Sequence, residues 1–256
     1  MAFAPDVRLD APGMLYPRRS PAQCMKIDWT NPLTKGLKFY GLARTGVFIE
    51  ELVQGYTIDI STSTHIVSRG KGGICLRNTG TTGTSGAIKP IETLNGITLL
   101  VSYTLSTTVT SSPQVLFELQ GNEGSFDEFA SIFHDYDSIV PAMQYKTETQ
   151  GTYSNFIYND HSLVLGETAS LILTTSLDLF ITGYANGRGL YNNTENNLVL
   201  EDMQFETLTL SGYYYNPNGY SLADIYAIAA FDGDMNKEQM KALSIDPYAF
   251  LIPNRG

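Results

Sequence analysis

The chain has 256 residues, 43% of them hydrophobic and 16% charged, with a formal net charge of −10 at pH 7. A chain of this length buries roughly 70–75% of the surface its unfolded form exposes, so a stable core needs no staples. The charge argues against a nucleic-acid partner, because between Lys89 and Lys237 the only cations are Lys146 and Arg188 and a phosphate backbone demands clustered Lys and Arg.

The first 25 residues read as an arm. Pro5, Pro12, Pro17 and Pro21 fix φ and remove backbone donors, so the stretch is extended rather than helical or sheet-forming. Two readings are open: a disordered tail, or an arm whose Arg8, Arg18 and Arg19 lie on a neighbouring subunit. Neither a signal peptide's apolar run nor the about 20 apolar residues of a membrane helix is present. The expectation is a soluble chain made in the cytoplasm, with no membrane partner. Cys24 and Cys75 are too few for a disulfide framework; they either bridge or, the preferred expectation, stay as buried free thiols.

Residues 26–256 read as one domain dominated by strands. Leu37–Leu42, Gly46–Glu50 and Tyr56–Ile60 are short β-type runs, and Gly72–Leu76 opens another. Ile97–Tyr103 is nearly continuous in β-formers and reads as a central strand. Val115–Leu119, Ser131–Phe133, Met143–Tyr145, Asn155–Tyr158 and Ser170–Leu173 follow, then Asp178–Thr182, Asn197–Leu200, Phe205–Leu210 and Ile225–Phe231. About a dozen strands with turns every 8–15 residues predict an all-β antiparallel sandwich. The one helix is expected over Lys237–Leu243. Asn236 and Gln239 form a capping box, Met235 and Met240 a hydrophobic staple, and Pro247 ends the element.

The segment Leu222 to Met240 resembles the closing strand and helix of concanavalin A-like, laminin-G-type jelly rolls. Leu179-Phe180-Ile181-Thr182-Gly183 is similar to that family's "Leu-Tyr-Val-Asp-Gly" hairpin, and Leu210-Ser211-Gly212 to its "Ile-Gly" strand start. Gly72 to Tyr103 looks like its opening element. Ile27 to Leu37 and Leu243 to Pro253 are similar to the lead-in and ending of such domains in tailed-bacteriophage proteins. The resemblance implies a two-sheet jelly-roll sandwich with one short C-terminal helix, carried in a virion; a fold of this kind says little about activity.

Catalytic chemistry is hard to find in the residues. The glucanases of the superfamily carry Glu-x-Asp-x-x-Glu on one strand, since retaining glycosidases need paired carboxylates ~5 Å apart. Glu201 to Glu206 lacks that spacing, and no Gly-x-Ser-x-Gly elbow exists. His65 and His161 read as surface residues. His134 lies in an acidic stretch in which Asp135 and Asp137 could offer oxygens to calcium, with a solvated loop as the plainer reading. Asp232-Gly233-Asp234 reads as a tight turn more simply than as a calcium turn. Asn192-Asn193-Thr194 is a formal glycosylation sequon.

Tyr213, Tyr214, Tyr215 and Tyr220 surround a polar turn and are candidate contacts to a sugar ring or a protein partner; alternatively they pack in the sandwich. The expectation is a non-enzymatic virion structural protein, a capsid decoration or head/tail accessory subunit, without cofactor or metal. Its partners would be other capsid or tail proteins, with a homo-oligomer as a further option. The alternative is a carbohydrate-binding module for host-surface glycans, and a glycan hydrolase comes last.

Overall fold

A computed structural model describes residues 21, 24–44, 48–60, 65–80, 83–94, 96–106, 113–121, 128–134, 140–146, 152–156, 163–175, 181–191, 202–212, 221–233 and 235–254. The N-terminal strands are β1 (Met25–Ile27), β2 (Leu37–Ala43), β3 (Phe48–Glu51), β4 (Tyr56–Asp59), β5 (His65–Gly70) and β6 (Gly73–Asn78). A 3-10 turn at Pro32–Thr34 separates the first two. Then come β7 (Thr84–Thr93), β8 (Ile97–Leu105), β9 (Gln114–Gln120), β10 (Phe129–His134), β11 (Pro141–Lys146) and β12 (Thr152–Phe156). The last group is β13 (Thr168–Thr174), β14 (Ile181–Ala185), β15 (Arg188–Tyr191), β16 (Met203–Leu210) and β17 (Ala223–Asp232). Helix α1 (Lys237–Ile245) and β18 (Leu251–Pro253) finish the described chain.

The strands make a sandwich. Six form one sheet in the order β12-β11-β10-β9-β16-β7. Ten form the other, along the path β15-β14-β13-β8-β17-β2-β3-β4, with the β5–β6 hairpin joined to β17 through β6. Every described pairing is antiparallel. The all-β, two-sheet expectation therefore holds. β8 is central, flanked by β13 and β17 and buried along all nine residues. A strand covered on both faces can be apolar on both, which is why its sequence shows no alternation.

Between the sheets lies one core, including Phe39, Leu99, Val101, Phe117, Leu119, Ile132, Leu171, Phe205 and Ile228. Each such side chain contributes roughly 1.5–3 kcal/mol by leaving water. Behind the ten-stranded sheet is a second apolar layer. Tyr40, Leu42, Leu100, Ile172 and Phe231 meet Met240 and Leu243 of α1 and Tyr248 and Phe250 of the tail. The outer face of the six-stranded sheet is different. Its register aligns Ser85, Thr209, Glu118, Ser131 and Gln144 in one row and Ala87, Thr207, Gln120, Phe129 and Lys146 in the next.

The two flanking segments meet in space. β1 pairs with β18, Asp28 N donates to Phe250 O (2.9 Å), and Asn31 Nδ2 donates to Ala249 O (3.2 Å). Tyr40 Oη donates to Pro247 O at 2.7 Å, and its ring meets Phe250 edge-on at 4.9 Å.

Several sequence expectations need correction. The described residues hold eighteen strands, not a dozen. β7 escapes the pattern because it is an edge strand with Lys89, Pro90 and Glu92 turned outward. The hairpin read at Gly183 turns instead at Asn186–Gly187, whose φ values are 48° and 82°. That left-handed pair suits a two-residue hairpin turn. Gly183 sits within β14, where a Cβ would overlap the carbonyl oxygen of Ile172. Leu210 closes a strand rather than opening one. α1 runs two residues further than expected, to Ile245. Asn236 Oδ1 does accept from Gln239 N (2.9 Å), but the Gln239 side chain bonds Asn236 Nδ2 (2.7 Å) and Pro32 O (2.8 Å) instead of closing the backbone half of the box.

Candidate functional site

One end of the sandwich collects most of the chemistry. There β8, β10 and β16 finish while β5, β7, β9, β11, β13 and β17 begin, as the pairs Ala223–Leu105, Thr168–Thr104, His134–Gln114, Leu210–Thr84 and His65–Asn78 show. Strand ends at a shared edge bring together segments far apart in sequence, and loops held by a rigid scaffold are where binding residues concentrate.

Among the described residues this loop end holds a recess of about 220 Å³, part of it open to solvent. Tyr103 and His134 lie in it with Leu105, Leu163 and Ala169, and Val164, Leu165 and Glu167 complete its lining. Tyr103 Oη and His134 Nε2 are 2.7 Å apart, with the rings tilted at 48°. Val164 and Leu165 are each 44% exposed. The turn that carries them is tied down by Gly166 N donating to Leu105 O (2.8 Å), and Gly166 takes a φ of 76°. Glu167 pairs with Lys71 at 2.6 Å, but both side chains are solvent-exposed, so the pair contributes under about 1 kcal/mol. Small-molecule sites usually enclose about 300–1,000 Å³. This recess, part of it open solvent, is smaller and is a shallow dimple rather than an enclosed ligand pocket.

Beside it, Ser211 and Ser221 form the base of an excursion. Ser221 N donates to Ser211 O (3.2 Å), Ser211 N donates to Leu116 O (2.9 Å), and Asn78 Nδ2 donates to Ser221 O (3.0 Å). Ser211 has a φ of 53°, in the left-handed region that non-glycine residues rarely occupy. Both serine hydroxyls are buried with no hydrogen-bond partner among the described residues. Backbone strain and buried unmet polar atoms are costly, and such features cluster at binding sites.

Around this end the electrostatics are set by burial. His65, opening β5, shares a 2.9 Å hydrogen bond between Nδ1 and Thr84 Oγ1, and burial pushes its pKa down to about 4. Asp224 accepts two bonds from Arg77 (2.6 and 2.7 Å), a bidentate pairing that holds the guanidinium charged. Burial, helped by the Asp224 carboxylate, pushes the Cys75 thiol up to about 12. It is inert, as buried thiols are.

The sequence-predicted residues are distributed unevenly. Tyr213, Tyr214, Tyr215 and Tyr220 lie outside the described residues, as do Arg8, Arg18 and Arg19, the acids Asp135 and Asp137, His161, Glu201, and the sequon at 192–194. The topology nonetheless brings the boundaries of the tyrosine segment, Gly212 and Ser221, to the same end as His134. His65 and His134 are corrected. Each is 1% exposed and hydrogen-bonded on a strand, where surface or loop positions were expected. Cys24 and Cys75 are both free, but Cys24 is exposed rather than buried. Asp232 accepts from Leu94 N and pairs with Lys38 at 3.5 Å, which accounts for its turn. No cluster of three or more His, Cys, Asp or Glu side chains that could hold a metal occurs among the described residues. Tyr103, Ser211 and Ser221 were missed, since nothing in a strand's own sequence says which other strand end it will meet.

No family model matches the chain, and no curated protein matches it in sequence. Solved structures do match its fold. A sialidase of Trypanosoma rangeli in complex with the inhibitor DANA is similar at a TM-score of 0.55 and 14% identity, over 85% of this chain and 34% of that one. The binding domain of botulinum neurotoxin serotype G is similar at 0.56 and 12% identity, over 81% of this chain and 50% of that one. The CBM40 module of a Ruminococcus gnavus IT-sialidase, bound to alpha2,3 sialyllactose, matches at 0.44 and 14% identity, over 59% of this chain and 83% of that one. The fold is a β-sandwich. This chain spans about a third of the sialidase and half of the toxin domain, and at such identities the likeness extends to fold alone. None of the three bears a bacteriophage or laminin-G name.

Proposed function

We propose that this chain is a non-enzymatic binding module whose loop end attaches to surface carbohydrate. The observation that carries the reading is the placement of segment 213–220, with its four tyrosines. Its described boundaries, Gly212 and Ser221, lie at the same end of the sandwich as the Tyr103–His134 recess, and Ser221 N donates to Ser211 O between them. A closed base limits the ordering entropy that binding must overcome. Tyrosine offers an apolar face for a sugar ring and a hydroxyl for its polar edge.

Two of the buried acids are held in structural contacts. Glu51 is engaged by the backbone N–H groups of Tyr40, Val53 and Gln54, and Asp224 by Arg77. The sialidase has been captured with sialic acid and the CBM40 module with sialyllactose; these bear on the present chain only as examples of what similar sandwiches hold. The test is a glycan array. Purified protein should give a signal that Tyr214→Ala or Tyr215→Ala lowers at least tenfold, and a folded wild type silent across the array would overturn the reading.

A second reading keeps the virion role, a capsid decoration or head/tail accessory subunit with other capsid or tail proteins as partners. One observation favours it: the root of the arm is latched to the sandwich. Arg44 Nη1 donates to Pro21 O (2.8 Å) while Nε bonds Glu50 Oε2. A latched root gives an arm bearing Arg8, Arg18 and Arg19 a fixed point of departure. Deleting residues 1–25 should leave a folded domain absent from purified particles by mass spectrometry; normal incorporation would end this reading.

A further inference from the structure

We infer that a second copy of this chain docks at the end of the sandwich opposite the loop end, through a surface complementary to itself. The inference does not depend on the carbohydrate reading, because the two ends share no residue. β2, β8 and β16 begin at this end while β7 and β17 finish there, as the pairs Leu37–Phe231, Ile97–Asp232 and Met203–Thr93 show. It carries the two most exposed large apolar side chains among the described residues, Trp29 at 56% and Leu94 at 53%. Trp29 stands in the segment that enters β2, and Leu94 directly follows β7. Asp232 joins the two regions. Its N donates to Gly36 O (2.7 Å), and its carboxylate accepts from Leu94 N and pairs with Lys38 at 3.5 Å.

Charge names the occupant. Residues 90–236 carry 18 acids and two cations, while the rest of the chain carries eight acids and 14 cations. At this end the two stretches meet. On the Trp29 side Lys26, Lys35 and Lys237 are exposed, and none is in an ion pair with another described residue. Of the acids there, Asp28 is held by Thr30 N and Oγ1 (3.1 and 2.6 Å), and Glu238 sits in the first turn of α1. On the Leu94 side Glu92 and Asp202 are exposed and Glu206 is half-buried. The Met203–Thr93 pairing brings Asp202 beside Leu94. Lys89, the cation of β7, is turned over the Tyr56 ring at 4.7 Å.

A basic half and an acidic half on one surface fit a two-fold contact. The axis sets the basic half of each copy on the acidic half of the other, and each Trp29 faces Leu94 of the other copy. A closed dimer demands such self-complementarity, because the same patch serves both partners. A foreign partner of one charge would be repelled by half of the surface. The two apolar side chains supply the anchor, tryptophan being enriched among the residues that carry interface energy. The charges around them steer the encounter and fix its orientation.

Trp29 is the chain's one tryptophan, so its fluorescence reports on this surface alone. Sedimentation equilibrium of the full chain at low salt should give twice the monomer mass, with Trp emission moving to shorter wavelength over the same concentration range. Salt at about 1 M, which screens charges beyond about 3 Å, should weaken the dimer at least tenfold. Leu94→Ala and Trp29→Ala should each weaken it tenfold or more with an unchanged Tm. Lys35→Glu with Lys237→Glu in one protein, and Glu92→Lys with Asp202→Lys in another, should each be monomeric, and their equimolar mixture should restore the dimer. A chain that stays monomeric up to about 1 mM leaves the surface to some other partner and overturns the inference. Unchanged association in Leu94→Ala, or reversed-charge variants that fail to pair when mixed, would do the same. If Leu94→Ala loses Tm, Trp29→Ala decides, and unchanged association there is a refutation.

Discussion

The two outer faces of this sandwich are built on opposite principles. Behind the ten-stranded sheet, α1 and the C-terminal tail cover an apolar layer in which Tyr40, Phe231, Met240, Leu243, Tyr248 and Phe250 are buried and the polar groups are matched. On the six-stranded sheet the outward rows are hydroxyl, amide and carboxylate, and they include the unmet amide of Gln120. The first arrangement maximises apolar burial, which is what stability requires. The second retains polar atoms at a cost to stability, which is what recognition requires. Apolar side chains and polar side chains are thus segregated to opposite sides of one core.

Substitutions can break that contrast. Phe250→Ala, in the covered layer, should cost about 3–5 kcal/mol in urea unfolding, because a buried ring leaves a cavity against Tyr40. Thr209→Val, on the polar face, should cost only about 1 kcal/mol for the hydrogen bond to Ser85. Equal losses would show that the faces are not specialised.

Acid provides the next largest effect, through His65 where β5 meets β7. Its pKa is about 4 in the fold against about 6.5 when unfolded. The unfolded chain therefore takes up the proton first, so stability is full above pH 6.5 and falls between pH 6.5 and 4, by up to roughly 3 kcal/mol. A stability profile flat across that window would contradict the burial of His65.

Arg77→Met should destabilise by about 2 kcal/mol, since it strands the buried Asp224 carboxylate, while the half-exposed guanidinium limits the loss. The smallest effect is expected at the cap of the covering helix. Asn236→Ala removes the acceptor for Gln239 N and should cost about 1 kcal/mol. A loss beyond that would mean that the Gln239 bridge to Pro32 fails with it.

The sequence by itself determined the class of fold and the location of many of its strands. Alternating and continuous β-runs such as Tyr56–Asp59 and Ile97–Leu105 follow from side-chain period and burial, which are local properties. Asn236, Gln239 and Pro247 similarly marked the helix, because capping involves neighbours in the chain. The Asn186–Gly187 turn is a local signal of the same kind, whereas Gly183, in the family-like stretch, lies within β14.

Only the tertiary structure decided which strand ends share an edge. No local signal pairs Tyr103 with His134, or brings Ser211 to Ser221. It also decided that His65 and His134 are buried, and that the Gln120 amide has no partner among the described residues. Burial and hydrogen-bond satisfaction are properties of what packs against a residue from other strands. They come into being when the sheets close, and the candidate sites are made of them.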